Sequence, residues 1–260
     1  MTLAKNKLTQ MQRMQAIRKA LLRGEEVAVD VLARQLKVSS MTIRRDLEQL
    51  ESQGDIIRTY GGAALTQRLT FEFSFRDQQN NNYAQKQAIA QQAVAMVQDG
   101  RVVMLDTGTT TLQIAQALVG KQDVTLITTS LAIVSKVQFA PGIKVVLLGG
   151  FLRRGSPDIH GPLAEQNIEQ FKTDIAFMGA DAIDDQGTTY SSDLQVVNLD
   201  RKMAANAARV IVVADSSKFG KSDMCKILGP KEYDLILTDG RINKTLLKQL
   251  RHKKIKIKLA

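Results

Sequence analysis

The feature that most constrains the fold is a regular alternation of short apolar segments with helix-like segments from residue 86 to residue 260. The apolar segments predict strands at 102–105, 124–127, 145–148, 175–178, 210–213, 235–237 and 255–259. Helical spacing predicts helices at 86–97, 111–118, 131–136, 163–171, 199–208 and 245–250. Apolar strands that alternate with helices are typical of a parallel sheet covered on both faces. The sequence therefore predicts an α/β C-terminal domain with a mostly parallel sheet.

Residues 9–64 have a different pattern. Apolar residues at helical spacing predict helices at about 9–23, 30–36 and 40–53, with Thr9 as a cap, and Gly24 and Gly54 end the first and third. An extended segment at 55–60 follows, and Gly61-Gly62 breaks it. A tight turn between the second and third helices is the arrangement of a helix-turn-helix. We therefore predict an α+β winged helix-turn-helix domain at 9–64.

The third predicted helix carries the chemistry for DNA recognition. Ile43 and Leu47 are four residues apart and point inward, so the neighbouring polar positions face outward. Arginine holds guanine through two hydrogen bonds or grips a phosphate, and hydroxyls near a helix N-terminus suit both contacts. The predicted DNA-binding residues are Ser40, Thr42, Arg44 and Arg45 in the helix, with Arg58 and Tyr60 in a wing. Spacing alone leaves one alternative, an ordinary three-helix bundle with two surface arginines.

The charge distribution agrees with a polyanion partner. The net charge is +10, with an excess of Lys and Arg in residues 1–70 and 200–260 and an excess of Asp and Glu between them. A basic N-terminal segment fits nucleic acid. The single cysteine, Cys225, cannot form an internal disulfide, which favours a reducing compartment. Because we find no signal segment and no apolar membrane span, we expect a cytoplasmic protein.

The ends of the predicted strands suggest a ligand site, because open α/β sheets bind ligands at the carboxyl ends of their strands. Glycines, hydroxyls, helix amides and a lysine suit a phosphate, and carboxylates suit sugar hydroxyls. We therefore predict a phosphorylated sugar as effector. The predicted contacts are Asp106, Thr107, Gly108, Thr109, Thr110, Thr129, Ser130, Gly149, Gly150, Asp181 and Lys218.

Two alternatives stay open for this domain. In the first, the protein is a sugar-phosphate isomerase with an appended DNA-binding module, in which Asp181, Asp184 and Lys218 supply acid, base and charge stabilisation. In the second, it binds DNA constitutively and its sensor is inactive. With no nucleophile elbow and no His/Cys cluster, we expect no catalysis, no metal and no cofactor.

Residues 65–85 are rich in Gln, Asn, Arg and Ser, and we interpret them as a linker. Phe71, Phe73 and Phe75 alternate within it. A disordered linker would not place three phenylalanines at period two. We therefore expect these side chains to pack against one of the domains.

Several stretches closely resemble the DeoR family of bacterial transcription regulators. They are residues 29–33, 38–47 and 58–63 in the first domain, and 106–110, 149–150, 176–181 and 215–220 in the second. The resemblance covers nearly the whole chain. It implies a helix-turn-helix at about 26–45 and an effector domain similar in fold to sugar-phosphate isomerases such as ribose-5-phosphate isomerase.

The resemblance also implies a function. Family members typically repress genes of sugar uptake and catabolism, and a phosphorylated sugar releases them from operator DNA. Paired half-sites suit symmetric readers, so we expect a homo-oligomer. One departure concerns the segment before Arg201, where many members are acidic. In this chain the nearby positions include Val196 and Asn198, with Asp193 as the nearest acid upstream.

Overall fold

The structure of the protein, a computed structural model, describes residues 8–22, 27–53, 55–65, 78–153 and 156–260. They form two compact units, an N-terminal one made mainly of residues up to Asp77 and a C-terminal one made mainly of residues from Gln78 onward. Each unit has its own hydrophobic core. The two units have the two fold classes that the sequence predicts.

The N-terminal unit consists of three helices and a β-hairpin. Its elements are α1 (Gln10–Leu22), α2 (Val29–Leu36), α3 (Ser40–Ser52), β1 (Ile56–Thr59) and β2 (Gly62–Leu65). The Thr9 hydroxyl accepts a hydrogen bond from Gln12 N at 3.3 Å, which confirms the predicted cap of α1. Lys37 follows α2 in the left-handed conformation and turns the chain toward α3. The predicted helix-turn-helix is therefore confirmed.

The extended segment ends before Gly61-Gly62, as predicted, since Thr59 is the last residue of β1, but the strand that follows was not predicted. The chain continues as β2, which pairs antiparallel with β1 so that Arg58 lies opposite Ala63. Gly61 has a φ of +84°, a conformation that glycine adopts at little cost. Gly61 therefore turns the hairpin instead of terminating the strand pair.

The C-terminal unit is built on a seven-stranded sheet. In spatial order its strands are β14 (Ile257–Leu259), β13 (Leu235–Thr238), β11 (Val210–Val213), β8 (Ile175–Met178), β3 (Val102–Leu105), β4 (Val124–Thr128) and β5 (Ile143–Leu147). Every neighbouring pair is parallel, which confirms the predicted sheet type.

Helices cover both faces of this sheet. They are α4 (Tyr83–Val94), α5 (Thr109–Leu118), α6 (Leu131–Val137), α7 (Pro162–Ile168), α8 (Leu194–Ala205) and α9 (Lys244–His252). Val210 and Val212 share one core with residues of α7 and α8. Ile211 and Val213 are equally buried and point to the opposite face, because successive strand residues alternate. Burial on both faces explains why the strands are continuously apolar.

Two small antiparallel sheets were not predicted. One is the hairpin of β6 (Phe151–Leu152) and β7 (Ile159–His160), and the other contains β9 (Ala182–Ile183), β10 (Thr189–Ser191) and β12 (Cys225–Lys226). Strands of two or three residues are too short to produce a period in the sequence. Cys225 is buried in the main core of this unit and has a free thiol.

Two helices begin three or more residues earlier than predicted. α4 begins at Tyr83 and not at 86, so its first turn lies in the segment that we interpreted as linker. α8 begins at Leu194 and not at 199, because the Asp193 carboxylate accepts a hydrogen bond from Gln195 N at 2.8 Å and caps the helix.

Some predictions fall outside the described residues. The predicted linker at 65–85 lies mostly there, as do Phe71, Phe73 and Phe75 with their expected packing. The predicted helix ends at Gly24 and Gly54 also lie outside the described residues.

Candidate DNA-binding surface and sensor site

The start of α3 is fixed by a serine cap. Ser39 is extended, and its hydroxyl accepts a hydrogen bond from Thr42 N at 3.2 Å. The Thr42 hydroxyl shares a second hydrogen bond with Ser39 Oγ at 2.9 Å. Ile43 and Leu47 are fully buried on the inner face of the helix. A capped and packed helix presents its outer face in a defined orientation.

The outer face of α3 carries Arg44 and Arg45, and both are exposed. Within the described residues neither guanidinium has an ion pair or a hydrogen bond. The Ser40 hydroxyl, by contrast, donates to Asp30 Oδ1 at 2.9 Å. The two arginines are therefore available to DNA, whereas the hydroxyls of Ser40 and Thr42 already have partners inside the domain.

Asp46, which the sequence analysis did not select, attaches α3 to α1. Its side chain is 1% exposed and accepts hydrogen bonds from Arg13 Nε at 2.7 Å and Arg13 Nη2 at 3.0 Å. The hydrogen bond to Asp46 raises the pKa of Arg13. The sequence carried a signal, since Asp46 lies three residues after the inward-facing Ile43 and so shares its face. A carboxylate on a buried face needs a partner.

The β1–β2 hairpin provides the predicted wing. Tyr60 lies at its tip and is fully exposed. Arg58 lies on β1, and its side chain reaches Glu48 Oε1 of α3 only at 3.4 Å. Exposed surface pairs of this kind contribute little stability, so Arg58 remains free to exchange Glu48 for another anion.

The base of the wing contacts the start of α2. Val29 N donates a hydrogen bond to Gly61 O at 3.0 Å. A Cβ atom on Gly62 would lie 2.5 Å from Val27 O, closer than real side chains approach. Glycine at position 62 therefore allows the hairpin to pack against the helix-turn-helix.

In the C-terminal unit, the strand order places the predicted sensor loops at a topological switch point. From β3 the chain continues to β4 and β5 on one side, and later to β8 and β11 on the other. Ligands of such sheets bind in the crevice outside the two strands that flank this point. Asp106 follows β3 and Gly179 follows β8, so these residues border the crevice.

Asp106 connects the two loops at this crevice. Its carboxylate accepts hydrogen bonds from the backbone N–H of Gly179 and, at 3.1 Å, from Gly108 N. The side chain is 7% exposed, and desolvation raises the pKa of Asp106 more than these hydrogen bonds lower it. The geometry gives Asp106 a positioning role. Its direct contact with an effector stays a prediction.

The loop after β3 offers donors to an anion. Gly108 precedes α5, and no side chain caps the helix there. The first amides of a helix have no intrahelical partner and attract negative charge. Thr107 and Thr109 are half-buried and Thr110 is buried, whereas Thr111 Oγ1 is bonded to Gly108 O at 2.8 Å. The amides and the first three threonines therefore lie where the sequence analysis predicted a phosphate.

Thr129 and Ser130 follow β4. Thr129 is fully buried, and its hydroxyl finds no hydrogen-bond partner in the described part of the chain. Ser130 caps α6 by accepting from Ile133 N at 3.4 Å. Thr129 thus has an unused polar atom, whereas Ser130 has a local structural role.

Gly149 and Gly150 follow β5. Gly149 O accepts a hydrogen bond from Asn167 Nδ2 at 3.1 Å. A Cβ atom on Gly150 would lie 2.8 Å from His160 O. Packing against the β6–β7 hairpin therefore accounts for glycine at position 150, and the predicted ligand contact of both glycines stays a prediction.

Asp181 follows β8 and is held by the chain that leads into α8. Its carboxylate accepts hydrogen bonds from Ser192 N at 3.0 Å and from Ser191 Oγ at 3.2 Å. The side chain is only half-buried. Asp181 is therefore fixed in place beside the crevice while part of its surface stays open.

Asp200 in α8 is a candidate that the sequence analysis missed. Desolvation, then the charges of Asp106 and Asp181, raise the pKa of Asp200 well above its ordinary value, although the side chain keeps some exposed surface. The interpretation of Asp193 as the nearest acid upstream was wrong, because Asp200 directly precedes Arg201. Asp193 instead caps α8 and contacts Arg153.

The loop after β11 contains Lys218. Asp215 is 2% exposed and accepts hydrogen bonds from Ser217 N at 3.0 Å and Ser217 Oγ at 2.6 Å. These bonds shape a short 3₁₀ turn at Ser216–Lys218, in which Lys218 is half-buried. A buried lysine of α4, Lys86, lies close enough for its charge to interact with Asp215 and Lys218. The sequence analysis did not select Lys86, because a lysine in a helix is usually exposed.

The structure thus arranges the predicted sensor residues in two groups. In one group the charges of Asp106 and Asp181 act on Asp200, and in the other the charges of Asp215 and Lys218 act on Lys86. Across the described ranges, no group of three or more His, Cys, Asp or Glu could hold a metal ion. No helix among the described residues is both long and apolar enough for a membrane span.

A winged helix-turn-helix with two unpaired arginines, joined to an α/β unit with a switch-point crevice, defines a two-domain DNA-binding regulator. Residues 13–68 match the DeoR-like helix-turn-helix domain, and residues 81–240 match the DeoR C-terminal sensor domain. The chain therefore belongs to the DeoR family of transcription regulators.

Relatives agree with this assignment. The chain is 37% identical to a putative aga operon transcriptional repressor of Escherichia coli O157:H7, over 86% of this chain and 84% of the relative. It is 35% identical to the transcriptional repressor AccR of Agrobacterium fabrum, over 90% and 92%. It is 29% identical to the glycerol-3-phosphate regulon repressor of Escherichia coli K12, over 82% and 84%.

Solved structures with similar folds include ribose 5-phosphate isomerase A of Methanocaldococcus jannaschii. The identity is 24% and the TM-score 0.40, over 53% of this chain and 55% of that one.

Proposed function

We propose that the protein represses an operon for carbohydrate uptake or catabolism and that a phosphorylated sugar releases it from operator DNA. The observation that carries the effector half is the start of α5, where Gly108 leaves the helix without a side-chain cap at the switch point of the sheet. The names of its relatives support the regulatory half, because two of them are repressors of an aga operon and of a glycerol-3-phosphate regulon.

DNA recognition is assigned to α3 and the wing. Arg44 and Arg45 are exposed and free of partners within the described residues, so they supply the main base and phosphate contacts. Arg58 and Tyr60 contact the backbone from the wing. Ser40 and Thr42 contribute less to DNA binding, because their hydroxyls already have partners inside the domain.

The effector phosphate is assigned to the amides of Thr109 and Thr110 and the hydroxyl of Thr107. Lys218 supplies a positive counter-charge, and Asp181 and Asp200 accept or donate hydrogen bonds to sugar hydroxyls. The raised pKa of Asp200 favours its neutral form, which both donates and accepts.

We propose binding without turnover. The isomerase alternative needs Asp184 as a free acid or base. Its Oδ1 accepts hydrogen bonds from Gln186 N and Thr188 N, and its Oδ2 accepts one from Tyr190 OH at 2.9 Å. These three donors occupy the carboxylate in a local turn. A proton-exchange assay with pentose and hexose phosphates tests this point, and exchange that disappears in Asp181→Asn would support the enzyme instead.

The remaining assignments belong to the same proposal. The DNA-binding domain spans 9–65, a linker 66–77 and the effector domain 78–260, because β2 ends at Leu65 and the C-terminal unit begins at Gln78. The protein works as a homo-oligomer, because a symmetric pair of helix-turn-helix domains reads two half-sites. Its location is the cytoplasm.

One experiment tests both halves. A binding site is first selected from a random DNA duplex pool, and its affinity is measured at fixed salt by fluorescence anisotropy. Hexose, pentose, amino-sugar and triose phosphates are then screened by thermal shift and by their effect on this affinity. We expect at least one to weaken DNA binding by about fivefold or more, and DNA to weaken that sugar phosphate's binding equally.

The matched variants are Lys218→Gln and Lys221→Gln. Both remove one positive charge from the same loop, but Lys221 is exposed whereas Lys218 is half-buried. We expect Lys218→Gln alone to lose affinity for the sugar phosphate. If no sugar phosphate changes DNA binding, the sensor is inactive and the alternative of a constitutive DNA-binding protein is correct.

A further inference from the structure

The start of α4 is attached to the loop that contains Lys218. Asn82 directly precedes α4, and its side-chain amide donates to Asp215 Oδ1 at 2.9 Å and to Ser217 Oγ at 3.2 Å. Asn82 has a φ of +54°, a left-handed conformation that asparagine tolerates well. The segment through which the chain enters the C-terminal unit is therefore bonded to the candidate effector loop.

Lys86, one turn into α4, strengthens this connection. Its side chain is 3% exposed, and its ammonium donates a hydrogen bond to the backbone oxygen of Gln78. Desolvation lowers the pKa of Lys86, the Asp215 carboxylate raises it and the Lys218 ammonium lowers it further. The buried Lys86 ammonium is thus acted on by one carboxylate and by a second ammonium, and a buried ammonium is costly without a full counter-charge.

A buried ammonium whose charge interacts with a second lysine suits a phosphate. A phosphate dianion beside Lys218 would attract both ammonium groups. The Lys86 ammonium would gain more from a phosphate oxygen than from the Gln78 carbonyl, because the phosphate carries a full negative charge and the carbonyl only a dipole.

Gln78 is the first residue of the C-terminal unit, and residues 66–77 connect it to the N-terminal unit. A side chain that bonds either to Gln78 or to an effector has two discrete arrangements. A two-state element of this kind is what coupling between a ligand site and a distant output requires.

We propose that Lys86 couples the sensor to DNA binding: in the free protein its ammonium holds Gln78, and in the effector-bound protein it pairs with the phosphate and releases Gln78. This inference rests on the proposed function, because it assigns the regulation of the same sensor site. Lys86 is thus a positioning residue for the linker as well as a contact for the phosphate.

The test uses Lys86→Met in the full-length protein. Methionine keeps an unbranched apolar chain of similar length in the buried site and removes the ammonium. The probe is the sugar phosphate that most weakens DNA binding by the parent protein, added to saturation as measured by calorimetry. We expect Lys86→Met to bind DNA more weakly than the parent even without the sugar phosphate, because Gln78 is already released. The effector-induced weakening should fall from about fivefold or more to nearly none.

Lys121→Met is the matched control. Lys121 Nζ also donates to a backbone carbonyl of this unit, Val97 O, at 2.7 Å, but it is not part of the Lys218 loop. This variant should keep the full response. If Lys86→Met at saturation responds as strongly as the parent, the inference is overturned while the proposed function stands.

A second measurement needs no variant. Hydrogen exchange of residues 78–86 in the parent protein should become faster when the sugar phosphate binds, because Gln78 is released. Unchanged or slower exchange would overturn the inference even if Lys86→Met fails to fold. If no sugar phosphate alters DNA binding by the parent, the proposed function fails first, and the inference fails with it.

Discussion

Arg13 of α1 and Asp46 of α3 form a two-pronged ion pair, with N–O distances of 2.7 and 3.0 Å. Asp46 is almost completely buried, and the Arg13 side chain is 13% exposed. The pair therefore fixes the orientation of α3 from its inner face, while Arg44 and Arg45 project from its outer face. In the run Thr-Ile-Arg-Arg-Asp-Leu, the two arginines thus face outward, whereas the aspartate faces inward and attaches α3 to α1.

We predict that Asp46→Ala destabilises the N-terminal unit by about 3–5 kcal/mol, because it leaves the partly buried Arg13 guanidinium without its counter-charge. Thermal or urea unfolding of the protein measures the change. Glu48→Gln is the matched control on the same helix. It removes an exposed pair with Arg58 and should cost less than about 1 kcal/mol. Equal losses in the two variants would contradict the structural role of Asp46.

A second prediction concerns the base of the wing. Gly62→Ala places a methyl group against Val27 O, so the hairpin must shift away from α2. We expect a loss of about 1–3 kcal/mol, typical of overpacking, together with weaker DNA binding. Gly61→Asn is the comparison, since nothing lies within 4 Å of a Cβ there and asparagine tolerates a positive φ. If Gly61→Asn costs more than Gly62→Ala, then backbone conformation and not close approach limits this turn.

Much of the fold could be predicted because its signals are local. The strands at 102–105, 175–178 and 210–213 have the predicted bounds, since each is a short β-branched or apolar run between polar loops. The starts of α4 and α8 were missed, because their first turns contain Tyr83 and Leu194 among polar residues and depend on a cap. The strands β6 and β9 were missed because each has only two residues, too few to produce a period in the sequence.

The site was predictable to a smaller degree. Loops at strand ends follow from topology, so Asp106 and Asp181 were found. Lys86 and Asp200 were missed, because each lies in a helix and owes its environment to residues far along the chain. Helical lysines and aspartates are usually solvated, so tertiary contacts alone distinguish these two.

The raised pKa of Asp200 leads to a pH prediction. The unfolded chain ionises this carboxyl near pH 3.9, whereas the folded protein keeps its proton to a higher pH. Between these two pKa values the folded state binds more protons, so stability falls as pH rises and then levels off above the folded pKa. We therefore predict that Asp200→Asn, which cannot ionise, is more stable than the parent at neutral pH and similar to it below about pH 4.

Melting temperatures of both proteins between acidic and neutral pH measure this difference. Asp185→Asn is the control, because Asp185 is exposed in a surface turn and should leave the pH profile unchanged. An Asp200→Asn profile parallel to that of the parent would mean that the carboxyl titrates normally in the folded protein.

The last prediction concerns the two outward arginines of α3. We expect Arg44→Ala and Arg45→Ala each to weaken binding to the selected DNA site by about 1–3 kcal/mol at fixed salt if they contact bases. A residue that contacts only a phosphate should instead weaken all sequences alike and reduce the salt slope by about one unit.

Arg44→Lys and Arg45→Lys separate these roles, because lysine keeps the charge but not the planar fork. A base contact should be lost in the lysine variant, and a phosphate contact should be largely kept. Lys248→Ala removes one exposed charge from α9 in the C-terminal unit and should bind like the parent. If both alanine variants also bind like the parent while remaining folded, α3 is not the recognition helix, since its outer face has no other unpaired cations among the described residues.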